Sequence, residues 1–218
     1  MRIRISRGLG MLCLGTALLG GIAAIRSGAS PEAVWAGIWP WMAVLAAAGL
    51  HELGHTVAAW GAGVRLCGMK LDLFGARMEL SGLLSYGQEM AVAAAGPFAS
   101  FACAALLYPL AGMGEGRLGG TMCGTVCGTM CISSLILGIV NLLPVGTLDG
   151  GRILRAGVAR LWGDRAATGV LRGTTVLFLV LLWLVCAYGL LRGGQFLTGF
   201  IFSLCLLWRT AAGEWGRA

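Results

Sequence analysis

The chain has 218 residues, of which 58% are hydrophobic and 11% are charged, and its formal net charge is +7. Several apolar runs reach the length of about 20 residues that crosses the hydrocarbon core of a bilayer. This composition excludes an ordinary soluble domain and predicts an integral membrane protein. The basic residues lie in short segments between apolar runs, which the positive-inside effect explains better than nucleic-acid binding does. The eight cysteines contain no CxxC pair and give no evidence of disulfides.

The first apolar run, residues 9–25, follows a start that carries three arginines. A basic start before an apolar segment is also typical of a signal peptide. The run is long for such a segment, and residues 26–31 form a weak cleavage site, so we expect a retained first span.

The second predicted span, residues 38–61, contains the sequence His-Glu-Leu-Gly-His at residues 51–55. On a helix, His51 and His55 share one face, because they are four residues apart, and Glu52 follows the first of them. Two imidazoles can hold a Zn²⁺ ion, and the neighbouring carboxylate can accept a proton. Since the flanking residues are almost wholly apolar, the pattern predicts a metal site inside a membrane.

Residues 62–88 are more polar than the segments on either side. Partial alternation of charged and apolar residues between 64 and 80 predicts a short β-hairpin at the membrane surface. An edge strand there could pair with an extended peptide. An ordinary connecting loop is the alternative that this pattern leaves open.

Four further spans are predicted at residues 89–110, 121–143, 170–191 and 196–208, with a polar cytosolic stretch before the third of these. The fourth span of the chain carries Cys123, Cys127 and Cys131 at a spacing of four. A soft-metal site is one interpretation, and a stripe of small residues that lets helices approach closely is the better one. After Asn141, proline and glycine break the helix at membrane depth, where irregular backbone lines a cavity or is buried in protein.

Six spans with both termini in the cytosol agree with the distribution of cations. The outer loops would then hold three of the sixteen basic residues, Arg26, Arg117 and Arg192, and the other thirteen would be cytosolic. In this orientation the His51–His55 pair lies nearer to the cytosolic side.

A tetrahedral catalytic metal site needs a third protein ligand. The chain has only two histidines, so this ligand must be a carboxylate or a cysteine. Asp149 lies in the helix-breaking segment near the depth of His55, whereas most other acidic residues belong to loops or exposed segments. Asp149 is therefore the best candidate, with Cys67 and Glu89 as weaker alternatives.

The sequence resembles the site-2 protease family of intramembrane zinc metalloproteases. The resemblance rests on residues 51–55 together with Asn-Leu-Leu-Pro at 141–144 and Leu-Asp-Gly-Gly-Arg at 148–152. It covers roughly residues 38–160. Six spans and a cytosol-side site look most like the sporulation-factor type, which cleaves a membrane-associated pro-sigma factor.

The resemblance implies that His51, His55 and Asp149 bind one zinc ion, that Glu52 is the catalytic base, and that Asn141 lies close to the substrate or the developing oxyanion. The segment Ala-Gly-Pro at 95–97 matches a family segment that usually carries Asn at the position of Ser100. No CBS or PDZ domain is expected in residues 1–218, which we interpret as a single transmembrane metalloprotease domain.

The expected fold is an all-α polytopic membrane protein of about six transmembrane helices with a small β-hairpin at the cytosolic membrane surface. The expected reaction is hydrolysis of a peptide bond in a membrane-associated protein, such as a pro-sigma or anti-sigma factor. Its expected location is the cell membrane, where another membrane protein could regulate it. A membrane metal transporter and a non-catalytic membrane scaffold are the alternatives, and neither requires a general base at Glu52.

Overall fold

The structure, a computed structural model, describes residues 2–5, 28, 31–72, 75–111, 122–193 and 204. In these ranges the chain is mostly helical. In chain order the helices and strands are β1 (Arg2–Ile5), α1 (Pro31–Gly61), β2 (Arg65–Asp72), β3 (Gly75–Ser81), α2 (Tyr86–Leu107), α3 (Met122–Asn141) and α4 (Asp149–Gly193).

Three segments of the described chain are long and apolar enough to cross a membrane. They are Tyr86–Leu107, Cys123–Asn141 and Asp149–Leu191. The predicted spans at 9–25 and, apart from residue 204, at 196–208 lie outside the described residues.

The helix boundaries differ from the predicted spans by a few residues where capping decides them. Helix α1 begins at Pro31 rather than at residue 38, and proline is favoured in the first turn of a helix. Helix α2 begins at Tyr86 because Ser85 and Gln88 form a reciprocal capping box. Helix α3 ends at Asn141, three residues before Pro144, whose ring cannot continue a helix.

Helix α4 is much longer than the predicted span at 170–191. The stretch expected to be polar and cytosolic is helical from Asp149 onward, and it buries a narrow stripe that includes Val158, Ala159 and Ala167. A break occurs at Gly163, whose φ of 83° is readily adopted by glycine and strained for other residues. The break divides α4 into a first part that begins at Asp149 and a longer apolar second part.

Helix α2 is central, because it packs against α1, α3 and α4. Much of the core consists of small side chains, including Ala43, Ala47 and Ala93. Small residues let helix backbones approach closely inside a membrane. The backbones of α1 and α2 approach closely at Gly54 of α1, where a Cβ atom would lie 2.5 Å from the carbonyl oxygen of Ala95.

The three strands form one sheet in the order β1–β2–β3. Strand β1 is parallel to β2, with Arg2 opposite Gly68, and β2 is antiparallel to β3, with Met69 opposite Met78. The register shifts between Leu66 and Gly68. Within the described chain, β3 pairs on one side only, so its other side is a sheet edge.

Candidate metal centre

Three side-chain atoms from distant parts of the chain converge between α1 and α4. The Oδ2 atom of Asp149 lies 3.1 Å from Nε2 of His51 and 3.1 Å from Nε2 of His55. The two Nε2 atoms are 3.2 Å apart. Each of the three residues is at most 8% exposed. The structure thus brings together the two histidines and the aspartate that the sequence singles out.

Local backbone structure presents each of these side chains. One turn of α1 places His51 and His55 on the same face. Asp149 is the first residue of α4 and follows an irregular segment, residues 142–148. A Cβ atom on Gly150 would lie 2.1 Å from the carbonyl oxygen of Leu142, and one on Gly151 would lie 2.1 Å from that of Val145. The two glycines therefore allow this segment to fold back tightly against the start of α4.

A buried threonine anchors the same segment. The hydroxyl of Thr175, in the second part of α4, accepts a hydrogen bond of 2.9 Å from the backbone N–H of Gly146. Thr175 is fully buried. Because a buried N–H without an acceptor costs about 1–3 kcal/mol, this contact stabilises the connection between Asn141 and Asp149.

Outer contacts orient the converging atoms. The Nδ1–H of His55 donates to the carbonyl oxygen of Val92 over 2.7 Å, and Nδ1 of His51 lies 2.9 Å from Oγ of Ser100. The second carboxylate oxygen of Asp149 lies 3.7 Å from the guanidinium of Arg152. These contacts direct both Nε2 atoms and Oδ2 toward one point.

The backbone of α2 forms one wall of the centre. A Cβ atom on Gly96 would lie 2.2 Å from Nε2 of His55 and 2.8 Å from Nε2 of His51. Only glycine leaves room for both rings at this position.

The three donors suit a single divalent cation. Ligands about 2.1 Å from a tetrahedral zinc ion are roughly 3.4 Å from one another, close to the separations found here. A neutral His55 that donates from Nδ1 has its lone pair at Nε2, which faces a carboxylate oxygen and the second imidazole. Electron-rich atoms gathered in a buried site favour a cation between them. Two imidazoles and one carboxylate are also a common ligand set of catalytic zinc sites.

Four other residues were predicted as possible members of the site. Glu52 is half-buried and next to His51 in the same helix. Asn141 lies close to the donors, with Nδ2 at 3.3 Å from Nε2 of His51. Glu89, in the first turn of α2, is not part of the three-residue group. Cys67 lies on β2, and its side chain is outside the described part.

Several contacts at this centre were not predicted from the sequence. They involve the carbonyl of Val92, the absent side chain of Gly96 and the hydroxyl of Thr175. The only signal was the Ala-Gly-Pro segment at 95–97, which marks α2 as unusual without indicating that its backbone faces the histidines.

Comparisons with known proteins agree with this geometry. The family model described as Peptidase family M50 matches residues 118–184. Rip3 of Mycobacterium tuberculosis, named as a zinc metalloprotease, is 37% identical over 162 residues, which are 70% of this chain and 41% of that protein. A zinc metalloprotease of Methanocaldococcus jannaschii is 30% identical over 121 residues, 56% of this chain and 34% of that protein. The chain thus spans less than half the length of these curated relatives.

A solved structure has the same fold. It is a site-2 protease from Methanocaldococcus jannaschii, with a TM-score of 0.63 and 22% identity. The match covers 97% of this chain and 91% of that one. At this level of identity the likeness concerns the arrangement of the helices.

Proposed function

We propose that this chain is an intramembrane zinc metalloprotease of peptidase family M50, because residues 118–184 match that family's model, Rip3 is 37% identical over 162 residues, and the fold is that of a solved site-2 protease. The reaction is hydrolysis of a peptide bond in a membrane-associated protein. The observation that carries the proposal is the buried convergence of His51, His55 and Asp149 next to α2 and α4, two of the helices able to cross a membrane.

His51, His55 and Asp149 would hold one zinc ion per chain, through two Nε2 atoms and one carboxylate oxygen. The distances of 3.1–3.2 Å among these atoms support this assignment. Zinc, when bound, supplies a Lewis acid that polarises a carbonyl group and lowers the pKa of water.

Glu52 acts as the general base in this proposal. Its carboxylate accepts the proton of the attacking water and then passes it to the leaving amine. Two features support the role: the position beside His51 on α1, and the partial burial of the side chain.

Asn141 is the candidate donor to the developing oxyanion. A side-chain amide that points at the place where negative charge forms lowers the barrier to acyl transfer. The amide nitrogen lies 3.3 Å from Nε2 of His51 at the end of α3. An N–H donor this close to a proposed metal ligand supports the role.

The substrate would be held in extended form, because the amides of a helix are hydrogen-bonded and shielded from attack. The edge of β3 that has no partner strand within the described residues and the irregular residues 142–148 are the candidate contacts. An unpaired strand edge offers a row of N–H and C=O groups to an extended segment.

The finer assignments extend the same proposal. The topology has six spans, cytosolic termini, a hairpin at the cytosolic membrane surface and a site toward the cytosol. The substrate is of the sporulation type, such as a pro-sigma factor, or else an anti-sigma factor. Another membrane protein regulates the enzyme. The cation distribution supports the orientation. The parallel pairing of β1 with β2 supports a common side for the N-terminal residues and the hairpin.

Co-expression with candidate pro-sigma and anti-sigma factors tests the activity. The wild-type chain should produce a fragment, whereas Glu52→Gln should bind zinc as tightly and cleave about 10²–10⁴-fold more slowly, because the proton acceptor is gone. Full cleavage by the Gln variant would reject the mechanism. Transport or scaffolding that survives in this variant, with no cleavage by either protein, would favour those functions instead.

A further inference from the structure

The contact between Ser100 and His51 joins two buried side chains, one from α2 and one from α1. Ser100 is 0% exposed, and its Oγ lies 2.9 Å from Nδ1 of His51. A serine hydroxyl can donate or accept, so this distance alone does not say which atom carries the proton.

The proposed ligand role of Nε2 assigns the proton. A neutral imidazole carries one N–H, and the nitrogen that holds an ion must present its lone pair. With Nε2 of His51 turned to the proposed zinc ion, the proton of the ring sits on Nδ1, and the oxygen of Ser100, 2.9 Å away, is its acceptor.

The other histidine is held in the same way. Its Nδ1–H donates over 2.7 Å to the carbonyl oxygen of Val92, which can only accept. Val92 and Ser100 lie eight residues apart on α2, with Gly96 midway between them. Helix α2 thus supplies one acceptor to each imidazole and leaves space between the acceptors for both rings.

We propose that Ser100 is a positioning residue of the metal centre: its hydroxyl accepts the Nδ1–H of His51 and thereby fixes the tautomer and ring orientation that present Nε2 to the ion. The inference rests on the proposed zinc site. Partners of this kind orient ligands without touching the metal.

Zinc affinity, measured on the purified full chain by competition with a chromogenic chelator, tests the role without a protease substrate. Ser100→Ala should weaken zinc binding about 10- to 100-fold, the range found when partners of metal-bound histidines are removed. Ser134→Ala is the matched control. Ser134 is also fully buried, but its hydroxyl donates to Sγ of Cys103, so its affinity should equal that of the wild type.

The proposed zinc site and the proposed role of Ser100 can be rejected by different results. A wild-type chain that binds no zinc would reject the metal centre and the inference with it. A wild-type chain that binds one zinc, with unchanged affinity in Ser100→Ala, would reject the role of Ser100 alone. Equal losses in the Ser100 and Ser134 variants would also reject it, because the effect would then be one of packing.

Imidazole NMR gives a second readout, and its decisive measurement is made on the wild type. With ¹⁵N-histidine labelling the spectrum contains only two rings, because the chain has two histidines. The zinc-loaded wild type should show both Nδ1–H protons protected from exchange with water. In Ser100→Ala the proton of His51 should lose its protection while that of His55 keeps it. An unprotected His51 Nδ1–H in the wild type would overturn the proposal.

Discussion

The carboxylate of Asp149 has a different contact on each oxygen: Oδ2 meets both imidazoles, and Oδ1 faces Arg152. This division gives the side chain one orientation, with a single oxygen directed at the donor group. The negative charge of that oxygen complements a cation. Asp149 is the only acidic residue of the three-residue group, so no other member can replace this charge. A neutral side chain of the same shape would therefore remove much of the attraction for an ion.

Asp149→Asn should lower zinc affinity by at least about 100-fold, since loss of a direct ligand exceeds the loss of an orienting partner. Asp164→Asn makes the same chemical change in the same helix at an exposed carboxylate that contacts Tyr86 and Arg155. This control should bind zinc like the wild type. Equal zinc affinities in the two variants, measured by chelator competition, would exclude Asp149 as a ligand.

At the scale of helices, the site depends on how closely α2 approaches the histidines. The space at Gly96 is filled by the two rings, so the backbone of α2 sets the positions of both. A side chain there would push the rings away from Asp149 or separate α1 from α2. The rest of α2 tolerates larger residues, as its half-exposed Phe101 and exposed Phe98 show.

Gly96→Ala should reduce zinc affinity by at least about 10-fold, because the added methyl group would overlap both Nε2 positions and disturb the ligands more than loss of an orienting contact does. Gly169→Ala, in α4, adds the same methyl group with no atom within 4 Å. That control should keep its zinc affinity and gain up to about 1 kcal/mol of stability from helix propensity. Unaltered zinc binding in Gly96→Ala would mean that the rings do not occupy this space.

The hairpin offers a test that separates substrate binding from metal binding. Met78→Pro in β3 removes a backbone N–H and should disturb the strand, reducing cleavage while the zinc content stays at the wild-type value. Leu83→Pro is the control, since Leu83 lies beyond the hairpin in an exposed connection. Normal cleavage by Met78→Pro would remove β3 as a substrate contact.

The sequence predicted the apolar helices and the chemistry of the site better than it predicted the packing. A candidate ligand such as His51 is recognisable because its spacing from His55 reflects local helix geometry. The acceptor that Ser100 provides depends on how α1 and α2 face each other at two residues 49 positions apart in the chain, which local periodicity does not encode. The polar first part of α4 was missed as a helix because its buried stripe is narrow and charged residues surround it.

For the molecule as a whole, the cations predict which membrane side each end of α2 faces. The segment before α2 contains Arg65, Lys70 and Arg77, whereas the connection after it, residues 111–120, contains only Arg117. Short segments rich in arginine and lysine remain on the cytosolic side. The hairpin and the N-terminal end of α2 should therefore be cytosolic.

Cysteine labelling measures this orientation. Leu83→Cys, at a fully exposed position, should react with a membrane-impermeant maleimide only when the cytosolic face is accessible, as in inverted vesicles. Leu110→Cys, beyond the other end of α2, should react only in intact cells. The wild-type chain supplies the background from its eight cysteines. The opposite pattern, or labelling of both positions from one side, would reverse or reject the orientation.

Because α1 and α4 converge on the backbone of α2, zinc binding would also be linked to folding. A ligand that binds only the assembled helices adds RT ln(1 + [L]/Kd) to their stability, or about 2.7 kcal/mol when free ligand is 100 times Kd. Zinc supply would thus set the thermal midpoint of the chain in detergent as well as its activity. In zinc-starved cells the same protein should unfold at lower temperature and be degraded sooner, so its abundance would follow the metal status of the cell.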